Sequence, residues 1–326
     1  MHLSLAFNMR APAWGPPAGD LYEAAIEMSA WADQLGFETV LLAEHHNTGD
    51  GYLPSPSVMA GAIAARTTRL DIKLSVVLAT LMHPVHLAED LAVVDVISKG
   101  RLHVTLGAGY RKEEFYVFGV NWKRRPSIMV ETIDTLKKAW TGEEFEFRGH
   151  PLRVLPKPAR PGGPPLALAG TSEGSAKRAA ALDLAYEPLG EQFYRAYLDE
   201  LGRLGKPLPP PRPGEGLPGF PSYVAVADDP ADYWAKVARH VQHNANEYAS
   251  YAQRKDLTPF KAAKDPDELL RRGDARVYTP AELVAACQAV GPDGVLRFNP
   301  LEGGIPPDTA WESLRLFERE VLPELP

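Results

Sequence analysis

Short apolar runs alternating with longer helical patterns predict an α/β chain folded as a (βα)8 TIM barrel, with an inserted hairpin and a long lid-like loop before the last strand. Eight strand-like segments recur, most followed by a helical stretch, and that alternation implies parallel pairing able to close on itself. The run IKLSVVLAT (72–80) is apolar on both faces, as a strand buried between layers must be. FNMRAPAWG, after the first strand, lacks the G-x-G-x-x-G that an open dinucleotide-binding sheet carries there.

The elements follow in order. HLSLAFN (2–8) is strand-like, and LYEAAIEMSAWADQLG (21–36) is helical with Gly36 as its stop. TVLLAE (39–44) is the second strand. SPSVMAGAIAARTTR (55–69) opens a helix on Ser55 with Pro56 at its first position. PVHLAEDLAVVDVISKG (84–100) is a helix that Lys99-Gly100 ends, and RLHVTLGAG (101–109) is the fourth strand, running into a glycine turn. A helix over 126–141 precedes EFEFRGHPLRV (144–154), whose alternation predicts the hairpin. PLALAG (165–170), a helix from Ser172 to Leu184, AYEPLG (185–190) and a helix over 192–205 resume the alternation. SYVAVAD (222–228) and DGVLRFN (293–299) are the last two strands. One domain, 1–326, is expected, with insertions near 143–156, 205–221 and 248–278; the last is long and polar, as lids are.

Composition narrows the function classes. The chain has 326 residues, 24% charged and 45% hydrophobic, with a formal net charge of −7 and no basic block. Nucleic acid and an anionic membrane surface are therefore not expected partners. Cys287 is the one cysteine, which rules out a disulfide framework and a thiolate zinc cage. MHLSLAFNMR has no basic segment leading into an apolar one, and no apolar run approaches the ~18 residues of a membrane span, so a cytoplasmic location is expected.

Barrel active sites lie at the C-terminal ends of strands. The polar residues placed there are Asn8, Glu44-His45-His46, Thr80 with His83, Gly107-Ala108-Gly109-Tyr110-Arg111, and Gly170-Thr171-Ser172. His83 ends the third strand, so three imidazoles are candidates to approach one another. A metal is one reading of them, but adjacent residues at a strand end point in opposite directions and no carboxylate pair completes a ligand set. Satisfied structural histidines are the other reading. LAGTSEGSAKRAA (168–180) places Thr171, Ser172 and Ser175 at a helix start with Lys177 and Arg178 in its first turns, which suits an anion. An ordinary serine N-cap explains the same stretch.

With LLAEHH and HPVHLAEDLAVVDVISKGRLHVTLGAGYRKEEFYVFG (83–119) in view, the sequence resembles the bacterial luciferase-like monooxygenases. The likeness extends more loosely through PPLALAGTSEGSAKRAA and LRLFEREVLPEL. The resemblance implies a two-component flavin monooxygenase on a (βα)8 barrel. It would take reduced FMN as cosubstrate from a separate NAD(P)H:flavin reductase, and use O2 through a C4a-hydroperoxyflavin to oxygenate a small organic substrate. It further implies that His45 handles protons beside the flavin, with Glu44 and His83 at the active site. Asn8, His46 and the 107–111 turn would contact the cofactor, and Gly170, Thr171, Ser172 and Ser175 would hold its phosphate. A non-prolyl cis peptide at Ser75-Val76 would lie beneath the ring. A homodimer or higher homo-oligomer and a mobile lid over 248–278 are implied in the same way. Luciferase itself carries an arginine where this chain has Ala108 and a cysteine where it has Gly107, so light emission is not implied. Two alternatives share the fold: a deazaflavin (F420)-dependent hydride-transfer oxidoreductase, and a non-catalytic flavin-binding relative.

Overall fold

The structure is a computed structural model in which residues 1–214, 217–251 and 261–326 are described. Seven parallel strands form one sheet in the order β11-β1-β2-β3-β4-β7-β8. They are β1 (His2–Phe7), β2 (Thr39–Leu42), β3 (Asp71–Val77), β4 (Leu102–Leu106), β7 (Leu166–Gly170), β8 (Ala185–Pro188) and β11 (Val295–Phe298). β9 (Tyr223–Val226) and β10 (Ala275–Tyr278) pair in parallel as a second sheet. β5 (Phe145–Phe147) and β6 (His150–Leu152) form the expected antiparallel hairpin.

The seven-stranded sheet is curled. Lys73 on β3 and Glu187 on β8 pair at 2.5 Å, although two strands separate them in the sheet. A flat sheet with strands ~4.8 Å apart could not bring those side chains together. Along β3 the side chains alternate: Ile72 and Leu74 are fully buried against the helices, while Lys73 and Ser75 face the trough. The strands β1–β4, β7, β8, β9 and β11 fall where sequence periodicity puts them.

Helices cover the outer face: α1 (Ala18–Gln34), α2 (Pro56–Arg66), α3 (Pro84–Ser98), α5 (Arg125–Ala139), α6 (Glu173–Ala181), α7 (Glu191–Arg203), α10 (Pro280–Val290) and α11 (Pro307–Leu316). Four helices were not anticipated: α4 (Lys112–Val117), α8 (Pro230–Tyr251), α9 (Asp267–Arg272) and α11 (Pro307–Leu316). Insertion 248–278 needs correction accordingly. Residues 248–251 end α8, 267–278 hold α9 and β10, and 252–260 lie outside the described residues.

The N-terminal ends of the strands are tied by polar side chains. Asp33 accepts the backbone N–H groups of Thr68, Arg69 and Leu70 at 3.0, 2.7 and 2.6 Å, and these bonds hold its carboxyl below its ordinary value although burial opposes them. The Arg101 guanidinium donates to the carbonyls of Ala64, Thr67, Leu70 and Ser98. Conserving geometry at this end is a matter of stability; the opposite end is open to ligands.

Candidate active site

The chain leaves β2 at Leu42 and enters a loop that is laced to its neighbour. His45 N–H donates to Leu53 O at 3.2 Å, Leu53 N–H to Asn8 O at 2.9 Å, and Ala11 N–H to Asp50 O at 2.6 Å. Asn47 takes a φ of 50°, a left-handed conformation that asparagine tolerates better than most residues. The loops after β1 and β2 therefore move as one body.

That lacing turns the two histidines to different carboxylates. His46 Nε2 donates to Glu44 Oε1 at 2.6 Å, and Glu44 Oε2 accepts Leu78 N–H at 2.8 Å. His45 Nδ1 lies 2.9 Å from Glu114 Oε1. Burial alone would raise the Glu114 carboxyl, but its bonds from His45 and the His46 N–H hold it below its ordinary value, so it is ionised. An ionised carboxylate only accepts, so Nδ1 carries the proton and Nε2 presents its lone pair. Tyr110 OH sits 3.2 Å from that nitrogen. Burial pushes the His45 imidazole below its ordinary value, against the pull of Glu114, and it is neutral near pH 7.

One oxygen of Glu114 does three jobs. Oε1 also accepts His46 N–H at 3.1 Å and Arg111 Nη1 at 3.3 Å, while Oε2 is buried without a partner among the described residues. Arg111 donates in addition to His46 O at 2.8 Å and lies 4.0 Å over the Tyr251 ring. Sequence reading missed Glu114 because the run KEE looks solvated. Its spacing of three from Arg111, just past the glycine turn, was the available signal.

A second network backs the first. Arg10 is fully buried, donating to Asp50 Oδ2 at 2.5 Å and Asn244 Oδ1 at 3.0 Å, with the Tyr52, Tyr248 and Tyr251 rings around it. Asn244 also accepts from Asn8 Nδ2 at 2.9 Å and donates to Glu302 Oε1 at 2.8 Å. Burial pushes the Glu302 carboxyl up to about 8. The α8 members went unread because that helix was not recognised; Asn244, Tyr248 and Tyr251 recur at helical spacing on one face.

A cavity of about 620 Å³ opens beside these groups, with Asn8, Tyr52, Ser75, Asn244, Arg297 and Glu302 in its wall. Ser75-Val76 is a cis peptide, as the resemblance implied. Behind it Gly107 packs so closely that a Cβ would lie 2.7 Å from Val76 Cγ2. Gly109, at φ 68°, passes its carbonyl to Arg125 at 2.7 Å, and Ala108 O accepts Thr80 Oγ1 at 3.0 Å.

The hydroxyl cluster forms at the start of α6. Ser172 caps the Ser175 N–H at 3.2 Å, Ser175 Oγ lies 2.9 Å from Tyr186 OH, and Tyr186 OH reaches Gly170 O at 3.1 Å. Thr171 and Ser172 are exposed there. The expected approach of three imidazoles is not seen. His83 is exposed at the N-cap of α3, where Pro84 directs the chain away, and its ring lies 5.6 Å from Phe147 of the hairpin. No contact joins it to His45 or His46 among the described residues.

Comparison with known proteins gives the family and the fold. The profile of the luciferase-like monooxygenase family matches residues 1–297. Protein y4vJ of Sinorhizobium fredii is 32% identical over 190 residues, 56% of this chain and 51% of that one. The 4-hydroxyprotoasukamycin monooxygenase of Streptomyces nodosus subsp. asukaensis is 26% identical over 239 residues, 71% of this chain and 56% of that one. The chain thus spans about half the length of the curated relatives it matches. Among solved structures, monooxygenase RslO1 of Streptomyces bottropensis superposes with a TM-score of 0.74 at 25% identity, covering 99% of both chains. The FMN-bound oxygenating constituent of 3,6-diketocamphane monooxygenase from Pseudomonas putida gives 0.71 at 19% identity, over 100% of this chain and 99% of that one. An F420-dependent secondary alcohol dehydrogenase, solved with an F420-acetone adduct, gives 0.66 at 16% identity, over 100% and 99%. These last two likenesses show the fold alone. With its profile matched across nine-tenths of its length, the chain belongs to the luciferase-like monooxygenase family.

Proposed function

We propose that this protein is a flavin-dependent monooxygenase that takes reduced FMN from a separate NAD(P)H:flavin reductase and oxygenates a small organic substrate with O2. The observation that carries the proposal is His45, neutral and locked in one tautomer by buried Glu114, its free Nε2 at Tyr110 OH. Family membership and the cavity bounded by Ser75 support it.

The residues present fit a flavin. The cis Ser75-Val76 segment with Gly107 behind it offers a floor for a flat ring, and exposed Thr171 and Ser172, with Ser175, at the start of α6 offer donors to a phosphate. Lys177 and Arg178 supply positive charge beside them in place of an arginine at Ala108. A bound flavin would supply the redox chemistry between O2 and substrate. The protein's own groups would do the rest. His45 Nε2 accepts or returns one proton, Tyr110 OH relays it, and Glu114 fixes the imidazole plane. Glu44 holds His46 so that its ring stays clear of His45. Asn8, Gly109 and Arg111 border the ring site, and Tyr52, Tyr248 and Tyr251 exclude water. A lid role for segment 248–278 belongs to the proposal, with Tyr248 and Tyr251 at the end of α8 as part of the cover. His83 enters the proposed site through the resemblance; among the described residues no contact joins it to His45.

A closed (βα)8 barrel forming one unit over 1–326, a cytoplasmic location and a homodimer or higher homo-oligomer belong to the same proposal. Exposed Val58 on α2 and Val93, Val96 and Ile97 on α3 favour self-association. The first test mixes the protein and FMNH2 with oxygenated buffer in a stopped-flow instrument. A delayed return of oxidised-flavin absorbance, abolished in His45→Ala, is expected. A return as fast as free flavin sinks the proposal and leaves F420 binding, measured by equilibrium titration, as the deciding experiment between a hydride-transfer enzyme and a non-catalytic relative.

A further inference from the structure

Resting on the flavin reading for its chemistry, we infer that the cavity recognises an organic carboxylate, and that Arg297 is the residue that selects it. β11 alternates: Leu296 and Phe298 are buried outward against the helices, so Arg297 between them turns into the trough. There it lines the cavity with Asn8, Ser75 and Glu302. No hydrogen bond or ion pair engages its guanidinium among the described residues.

The charges around it leave this cation uncompensated. Arg297 and Glu302 are the ionisable acid-base pair of groups in the wall, apart from the phenols of Tyr52 and Tyr248. Glu302 is protonated near pH 7, its carboxyl pushed up to about 8 by burial. Glu187 is the carboxylate acting on Arg297 from outside the wall, and it is already paired with Lys73 at 2.5 Å. Arg297 is exposed within the trough, so an incoming anion can reach its guanidinium. A planar guanidinium presents a fork of donors that matches a carboxylate in two parallel bonds. Four aromatic side chains also line the wall: Phe7, Tyr52, Phe220 and Tyr248. The occupant that satisfies both halves is an aryl-bearing carboxylic acid held by its carboxylate at Arg297, with its apolar body between the rings. An alkanal, neutral at its polar end, leaves the guanidinium unpaired.

The test is isothermal titration of 3-phenylpropionate and of its neutral twin, 3-phenylpropionamide, into the wild type, Arg297→Gln and Arg297→Lys, each with and without FMN. The acid is expected to bind at least about tenfold more tightly than the amide, as a charge-assisted pair is worth that much. Arg297→Gln should erase the difference and Arg297→Lys should keep part of it. Equal affinity for acid and amide in the wild type, or no binding of either, overturns the inference. So does an Arg297→Gln variant that keeps the preference. If that variant instead loses FMN affinity while the acid preference stays, the guanidinium serves the cofactor. Wild-type FMN titrations run alongside: failure there counts against the flavin reading alone and leaves the acid-over-amide comparison standing. Circular dichroism and melting curves of both variants confirm that each folds.

Discussion

Replacing Glu114 by glutamine separates the charge of this group from its geometry. Among the described residues its three donors converge on Oε1, at 2.9 Å from His45 Nδ1, 3.1 Å from His46 N and 3.3 Å from Arg111 Nη1, while Oε2 has no hydrogen-bond partner. An amide placed with its carbonyl at the Oε1 position keeps every bond, so the His45 tautomer is retained. What is lost is the negative charge. A hydrogen bond to a charged group contributes about 1.5–3 kcal/mol and a neutral one about 1, so imidazolium loses roughly 1 kcal/mol of stabilisation or more. His45 should therefore titrate at lower pH still, and the fold should lose about 1–3 kcal/mol through the missing charge opposite Arg111 and a buried NH2 without an acceptor. Glu114→Ala, which removes all three bonds, should cost about 3–5 kcal/mol. The assay is a histidine-selective NMR titration together with urea melts. An unchanged or raised His45 titration in Glu114→Gln would refute the assignment of Glu114 as its charged partner.

Other perturbations follow from the same contacts. The folded Glu302 value of about 8 lies above its ordinary 4.5, so the folded state keeps a proton that the unfolded chain has released between those pH values. Stability should fall as pH rises through that window, by at most about 5 kcal/mol, and the slope should vanish in Glu302→Gln when melts are compared across it. Arg101→Ala, which strips donors from four backbone carbonyls at the closed end, should lower stability by roughly 2–4 kcal/mol. FMN affinity should stay unchanged in that variant, and a fall would show the two ends to be coupled. Gly107→Ala should cost about 1–3 kcal/mol by driving a methyl into Val76, read as a lower melting temperature with weaker FMN binding.

What the sequence discloses depends on how local the signal is. The strands of the sheet were legible because runs such as IKLSVVLAT carry their own pattern, and strand ends then pointed to Asn8, His45 and the 107–111 turn. His83 satisfied the same strand-end rule yet stands at the hairpin, since a proline after it set the exit direction. Glu114, Asp33 and Glu302 were illegible for a common reason. A buried carboxylate and a solvated one are the same letter, and only the donors folded around it, from β2, from residues 68–70 or from Asn244, distinguish them. α8 was passed over because polar HNANEY obscures its apolar stripe. With it went the tyrosines that cover Arg10.

Asn244 and Tyr248, which line the cavity, come from a single helix together with Tyr251, and this ties part of the cavity's shape to one rigid rod. A shift of α8 by a fraction of its ~5.4 Å pitch would move an amide and two phenols together. Changes in ligand preference along that wall would therefore arrive in coordinated steps. The opposite wall is different: Phe220, Pro221 and Ser222 sit in a connecting segment outside any helix or strand. Directed evolution for a new ligand should find its single-residue gains there, and should treat α8 as a unit to be transplanted whole.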